Sequence, residues 1–132
     1  MLVDASVALK WFVPEADSET AVALLTDNQL SAPDLILVEV GNALWKALRR
    51  GALDGVTFGE DVERLHEAFA FLHPLPELTI RAAGIARELG HPVYDCVYLA
   101  CAERRREELV TADLRLLQKV QGSKYEALCR PL

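Results

Sequence analysis

Apolar and polar positions along the chain fall into short runs separated by longer stretches of helical spacing. "MLVD" places three apolar residues before an acid, a strand-sized run over residues 1–4 that ends in Asp4. "SVALKWF" then has helical spacing, closed by Pro14. "DSETAVALLTD" predicts a second helix, with Asp17 or Ser18 as its cap and a glutamate in its first turn. "QLSAP" is too short for a helix and suits a small strand stopped by Pro33. A long helix follows from about Leu35 to Arg50, ending at Gly51. "TFGEDVERLHEAFAFL" predicts another, with Thr57 and Glu60 spaced as a capping box. "HPLP" is read as a brief buried strand before the helix "ELTIRAAGIAREL", which Gly90 terminates. Residues 94–105 are again helical, "ELV" is a strand, "DLRLLQKV" a short helix and "YEALC" a final edge strand.

Strands alternating with helices imply right-handed crossovers. The expected fold is α/β: three α/β/α layers around a short, mostly parallel central sheet. A length of 132 residues suits one domain over 1–132, and no repeat or linker interrupts it. No apolar run reaches the roughly 18 residues that a membrane span needs. The first residues lack the basic n-region of a signal peptide, so the cytoplasm is the expected compartment. Cys96, Cys101 and Cys129 are odd in number and lack C-x-x-C spacing, which argues for reduced core residues over a disulfide scaffold or zinc site. His66, His73 and His91 lack ligand spacing, and the last two, each before a proline, are read as loop residues.

Four acids stand in apolar company, in "LVDAS", "LILVEVGN", "VYDCVYLA" and "LVTAD". Burying a carboxylate costs several kcal/mol unless it is paired. Each has a structural explanation. Asp4 and Asp113 can cap the helices that follow them, and Asp95 is favoured by the dipole of the helix it opens. Glu39 shares a polar stripe with Asn42, Lys46 and Arg49, opposite Ile36, Val40, Ala43 and Ala47. The expected parallel sheet adds a second reading. In open parallel sheets, sites gather beyond the carboxyl ends of the strands, which brings Asp4 and Asp113 to one edge. Four convergent carboxylates repel each other, and hard divalent cations such as Mg²⁺ or Mn²⁺, which prefer oxygen ligands, relieve that repulsion. Such ions orient and activate water and stabilise both oxygens of a phosphoryl centre, which points to hydrolysis of a phosphodiester. The formal net charge of −6 weighs against a nucleic-acid partner, but setting four acids aside for metal removes most of it.

"VDAS", "EVGNAL", "YDCVYLA" and "TAD", in this order and spacing over nearly the whole chain, resemble the PIN-domain family, and within it the VapC-type toxins of toxin–antitoxin pairs. The resemblance implies a Mg²⁺- or Mn²⁺-dependent endoribonuclease that inhibits translation, with tRNA or rRNA among its candidate targets. Water attacks phosphorus in line, leaving a 5′-phosphate and a 3′-hydroxyl. A homodimer and a cognate antitoxin protein are also implied. The family's catalytic and metal-binding quartet falls on Asp4, Glu39, Asp95 and Asp113, and its supporting polar positions on Ser6, Asn42 and Thr111. Apolar helices over 35–50 and 56–72 offer a groove for the antitoxin.

Lys10, Lys46, Arg49 and Arg115 each follow a site acid in sequence or on its helix, and are the candidate RNA contacts. "ERRREE" at 103–108 reads as a solvated helix end. Tyr94 and Tyr98 either wall the site or pack the helix, with packing favoured; for Trp11 and Trp45, burial in the core or a dimer contact is favoured over stacking on RNA bases. A phospho-receiver-like signalling domain is the chief alternative, although it needs two adjacent acids after the first strand. A catalytically weak binding module of the same fold and a small-molecule phosphomonoesterase are the others.

Overall fold

Five strands of two or three residues form one sheet: β1 (Leu2–Val3), β2 (Ser31–Pro33), β3 (Phe71–His73), β4 (Leu109–Thr111) and β5 (Cys129–Pro131). Their order is β3-β2-β1-β4-β5, with all four pairings parallel. The computed structural model describes residues 1–27 and 29–132. Between the strands run α1 (Ala5–Ala8), α2 (Ser18–Asp27), α3 (Leu35–Arg49), α4 (Gly55–Glu67), α5 (Thr79–Leu89), α6 (Val93–Arg105) and α7 (Leu114–Val120). Short 3-10 turns cover Leu9–Trp11, Leu75–Glu77 and Glu126–Leu128.

Successive strand residues point to opposite faces, yet every residue of β1, β2 and β4 is buried. Helices must therefore cover both faces, which gives the expected three layers. β3 and β5, at the edges, are only partly buried. Helix α6 is the most enclosed element: Cys96 to Ala102 are all buried, so its apolar surface extends around the helix. Helix α5 packs along it. Arg81 locks the two together, donating to Glu103 at 2.6 and 2.8 Å and to the hydroxyl of buried Tyr125 at 3.0 Å.

Several boundaries differ from the sequence reading. The expected capping box at Thr57 and Glu60 is absent because α4 begins earlier. Asp54 is its cap and accepts from the Thr57 N–H at 2.7 Å. The same helix stops at Glu67, and Phe71 and Leu72, assigned to its apolar stripe, pair with β2 instead. Sheet pairing wins because Ala70 N–H already donates to Leu30 C=O at 2.9 Å, setting the register. His73 accordingly lies in β3, not in a loop. At the C-terminus the strand is Cys129–Pro131, one turn beyond "YEAL". The three cysteines are unpaired, with Cys96 and Cys101 buried and Cys129 partly so. Among the described residues, no helix is long and apolar enough to cross a membrane.

Candidate active site

β2 lies on one side of β1 and β4 on the other, so the crossovers diverge at the carboxyl ends of β1 and β4. Asp4 directly follows β1, and Asp113 follows β4 by two residues. Both acids are helix caps, as their positions allow. Asp4, with extended backbone, accepts from the Val7 N–H at 3.2 Å, and Asp113 accepts from Arg115 and Leu116 N–H groups at 2.9 and 3.2 Å. Capping uses Oδ1 in both residues. The capping and chemical readings are thus compatible: the cap fixes the side chain at the crevice.

Two hydroxyls join the strand ends. Ser6 donates to Asp4 Oδ1 and accepts from Ala112 N–H at 2.9 Å. Thr111 donates to Asp4 Oδ2 and accepts from Asp113 N–H at 3.0 Å. Asp4, buried with 6% exposure, is therefore held on both oxygens by residues that also shape the start of α7.

The other two acids come from helices. Glu39, half-buried on α3, accepts from the Tyr98 hydroxyl at 2.6 Å. Asp95, in the first turn of α6, is 2.6 Å through Oδ2 from Nε2 of His91. Tyr98 packs, as the sequence reading has it, and also carries this hydrogen bond, whereas Tyr94 is 66% exposed and does not pack. The sequence reading therefore misses His91, and for Tyr98 it favours packing over the place in the site wall that the residue also takes. Spacing offers a signal for Tyr98, three residues after Asp95 on the same helix, but not for His91, which precedes the helix.

Asp4, Glu39, Asp95 and Asp113, with Ser6, Asn42 and Tyr98, line one open pocket of about 310 Å³. Their charges act on one another. Burial pushes Asp4 up to about 6, against its hydrogen bonds from Ser6, Thr111 and Val7 and with a further push from Asp113. Glu39 is also raised, first by burial and then by the charges of Asp95 and Asp4, while Tyr98 pulls it back. Burial and the Glu39 charge hold the Tyr98 phenol well above its ordinary range, so it is a donor here.

The donor set is all-oxygen and negative, which fits Mg²⁺ or Mn²⁺ and excludes a soft thiolate site. Among the described residues, no three His, Cys, Asp or Glu side chains converge tightly enough to ligate a single ion. Each acid is instead drawn to its own donors around the rim. Mg²⁺ is commonly held through one or two carboxylates with several retained waters, so an all-oxygen lining can serve it without a tight protein cage.

The basic residues separate. Lys10 is buried, with its ammonium paired to Glu15 and, at 2.8 Å, to Asp17, so its charge is consumed inside the fold. Lys46 and Arg49 are exposed along α3 beyond Asn42, with the Arg49 guanidinium 5.2 Å from the Trp45 ring centre. Arg115 is exposed beside Asp113. Trp45 is itself 43% exposed, whereas Trp11 is partly buried and donates to Ala21 C=O at 3.0 Å. In "ERRREE", Arg104 and Arg105 are exposed at the end of α6, and Arg104 pairs with Glu77 at 3.0 Å.

Comparison with known proteins places these features. A family model described as PIN domain matches residues 1–122. A protein of Pyrobaculum aerophilum named Ribonuclease VapC3 is 38% identical over 122 residues, covering 90% of this chain and 93% of the relative. Another from that organism, Exonuclease VapC9, is 34% identical over 98 residues, covering 73% and 71%. The crystal structure of PAE2754 from the same organism superposes with a TM-score of 0.72 at 29% identity, covering 92% of this chain and 86% of that one. A toxin–antitoxin complex from Klebsiella pneumoniae shares the fold, with a TM-score of 0.67 at 16% identity, covering 94% and 92%.

Proposed function

This chain belongs to the PIN-domain family, among its VapC-type members, and on that premise we propose that it is a metal-dependent endoribonuclease, the toxin of a toxin–antitoxin pair. Residues 1–132 act as one nuclease domain that cuts RNA in the cytoplasm and so inhibits translation. The observation that carries the reading is that four carboxylates from four separate segments line one pocket at the switch point of a parallel sheet. No adjacent acid follows Asp4, which removes the main feature of a phospho-receiver.

Asp4, Glu39, Asp95 and Asp113 are the residues that would hold Mg²⁺ or Mn²⁺, which supplies Lewis-acid activation of water and charge stabilisation at phosphorus. Ser6 and Thr111 hold Asp4, Tyr98 holds Glu39, and backbone N–H groups hold Asp113. Preorganised acids need little rearrangement when charge develops at the substrate. Asn42, exposed at the pocket wall, is placed to donate to a sugar or phosphate oxygen. Lys46, Arg49 and Arg115 are the RNA contacts in this reading, and Lys10 is withdrawn from them. For an antitoxin segment, a second pocket of about 370 Å³ combines apolar lining from Trp11, Phe12 and Leu53 with the polar side chains of Thr57, Asp61 and Arg64. It lies beside α2 and α4, and α4 in turn packs on α3. A homodimer completes the proposal.

Incubation of the purified protein with linear and circularised RNA, in Mg²⁺, Mn²⁺ or EDTA, tests it. Both RNAs should be cut only with metal. Folded Asp4→Asn and Asp95→Asn proteins should lose more than about 100-fold, beyond the 10–100-fold typical of outer-layer partners. Undiminished cutting by both would overturn the site. Digestion of linear RNA alone would overturn the endonucleolytic part and align the protein with the relative named an exonuclease.

A further inference from the structure

Three of the four acids are held by donors that form part of their own structural setting. Asp4 has two hydroxyls and a backbone N–H, Asp113 has two backbone N–H groups, and Glu39 has the Tyr98 hydroxyl. Asp95 has neither a hydroxyl nor a backbone donor among the described residues. Its partner is the His91 ring, at 2.6 Å. We propose that His91 is the positioning residue of the site, fixing the Asp95 carboxylate for a hard divalent cation through the bond from Nε2 to Oδ2. The inference rests on the reading of the pocket as a metal-dependent nuclease centre.

The local backbone leaves His91 little freedom. Helix α5 ends at Gly90 in the left-handed conformation (φ 60°), and the His91 N–H closes the turn on Ala86 C=O at 3.2 Å. Pro92 follows with φ −54° and stands at the start of α6. The imidazole side chain is 11% exposed, against 33% for Asp95. A nearly enclosed ring on a rigid helix–helix corner thus holds a carboxylate that is otherwise open to solvent. In this proposal Nε2 carries the hydrogen of the pair, and the Asp95 carboxylate accepts it. The bond takes one oxygen of Asp95 and leaves Oδ1 without a hydrogen-bond partner among the described residues. Ligating carboxylates are commonly oriented by such outer partners, whose loss costs about 10–100-fold in metal affinity or activity.

The test measures Mn²⁺ binding by the full-length protein, from the electron paramagnetic resonance signal of free Mn²⁺, without RNA. His91→Phe keeps a planar ring and removes the donor; His91→Gln restores a donor close to the position of Nε2. The expected result is binding about 10–100-fold weaker in His91→Phe and within about threefold of the original in His91→Gln, with kcat falling more than KM rises when RNA is added. A folded His91→Phe protein that binds Mn²⁺ as tightly as the original overturns the inference. So does a His91→Gln protein as weak as His91→Phe, since a merely structural role predicts no rescue. Should His91→Phe not fold, the unsubstituted protein decides. A His91 Nε2–H proton exchanging as fast as that of free imidazole overturns the proposal, and a slowly exchanging one supports it. Asp95→Asn separates the levels. If it binds Mn²⁺ normally, the metal site itself is misassigned and the inference falls with it; if it loses Mn²⁺ while His91→Phe retains it, the inference alone fails.

Discussion

A buried carboxylate with a value of about 6 is a cost that the fold carries for its site. The folded value of Asp4 lies above its unfolded 3.8, so the native protein binds the extra proton between those limits. This contribution favours folding at low pH and is lost as pH rises through about 6, on the order of 3 kcal/mol in full. Asp4→Asn should therefore raise the melting temperature of metal-free protein at pH 8 and flatten this part of its profile between pH 4 and 6. Thermal melts across that range measure both; a variant less stable than the original at pH 8 would contradict the assignment. Tyr98→Phe acts in the opposite sense on Glu39. Loss of the hydroxyl costs about 1 kcal/mol and removes the one interaction that lowers the Glu39 value. The acid limb of metal-dependent cleavage should then move to higher pH, as a pH–rate profile would record. The acids were legible in the sequence because a carboxylate beside Val, Leu and Ile is expensive without a purpose. Of their donors, Ser6 and Thr111 came with the motifs, whereas His91 did not. Tyr98 reads first as a packing residue, and the pairing of Lys10 with Glu15 and Asp17 depends on how the chain turns at Pro14.

At the scale of elements, pattern length decided what could be read. Helix α3 was legible almost to its last residue, because its apolar and polar stripes persist over fifteen residues. Helix α6 was legible from its bounds alone, since burial on all sides removes the stripe. Strands of two or three residues are too short to display period-2 alternation, so β3 was absorbed into the apolar spacing of α4. What separates them is a tertiary fact, the register of β3 against β2. The start of α4 offers a clean test of that reading. Asp54 caps the helix from an exposed position far along the chain from the acids, and its bond to Thr57 N–H holds its own carboxyl below the ordinary range. Asp54→Ala should cost about 1 kcal/mol in denaturant unfolding and leave Mn²⁺ affinity and RNA cleavage unchanged. A null effect on stability would restore the later start at Thr57.

The whole molecule sets the balance between its site and its substrate. An acidic protein whose pocket gathers four carboxylates should repel RNA until divalent cations enter, so metal ought to govern both folding stability and substrate capture. At a Mn²⁺ concentration 100 times its dissociation constant, mass action adds about 2.7 kcal/mol, roughly 10 °C in melting temperature at this chain length. EDTA should reverse the gain, and Asp4→Asn should show none despite its higher starting point. RNA affinity carries a second signature of the same charge arrangement. Each cation that neutralises a phosphate of single-stranded RNA contributes about −0.7 to the slope of log affinity against log salt. Lys46, Arg49 and Arg115 alone therefore predict a slope near −2 at fixed Mn²⁺, shallow for a nucleic-acid-binding protein. Replacing all three with alanine should bring that slope towards zero while Mn²⁺ binding is retained. A slope steeper than about −4 in the unsubstituted protein would mean that cations assigned here to the solvated end of α6, Arg104 to Arg106, also hold the RNA. The substrate path would then run away from α3, across the far end of the helix that carries Asp95.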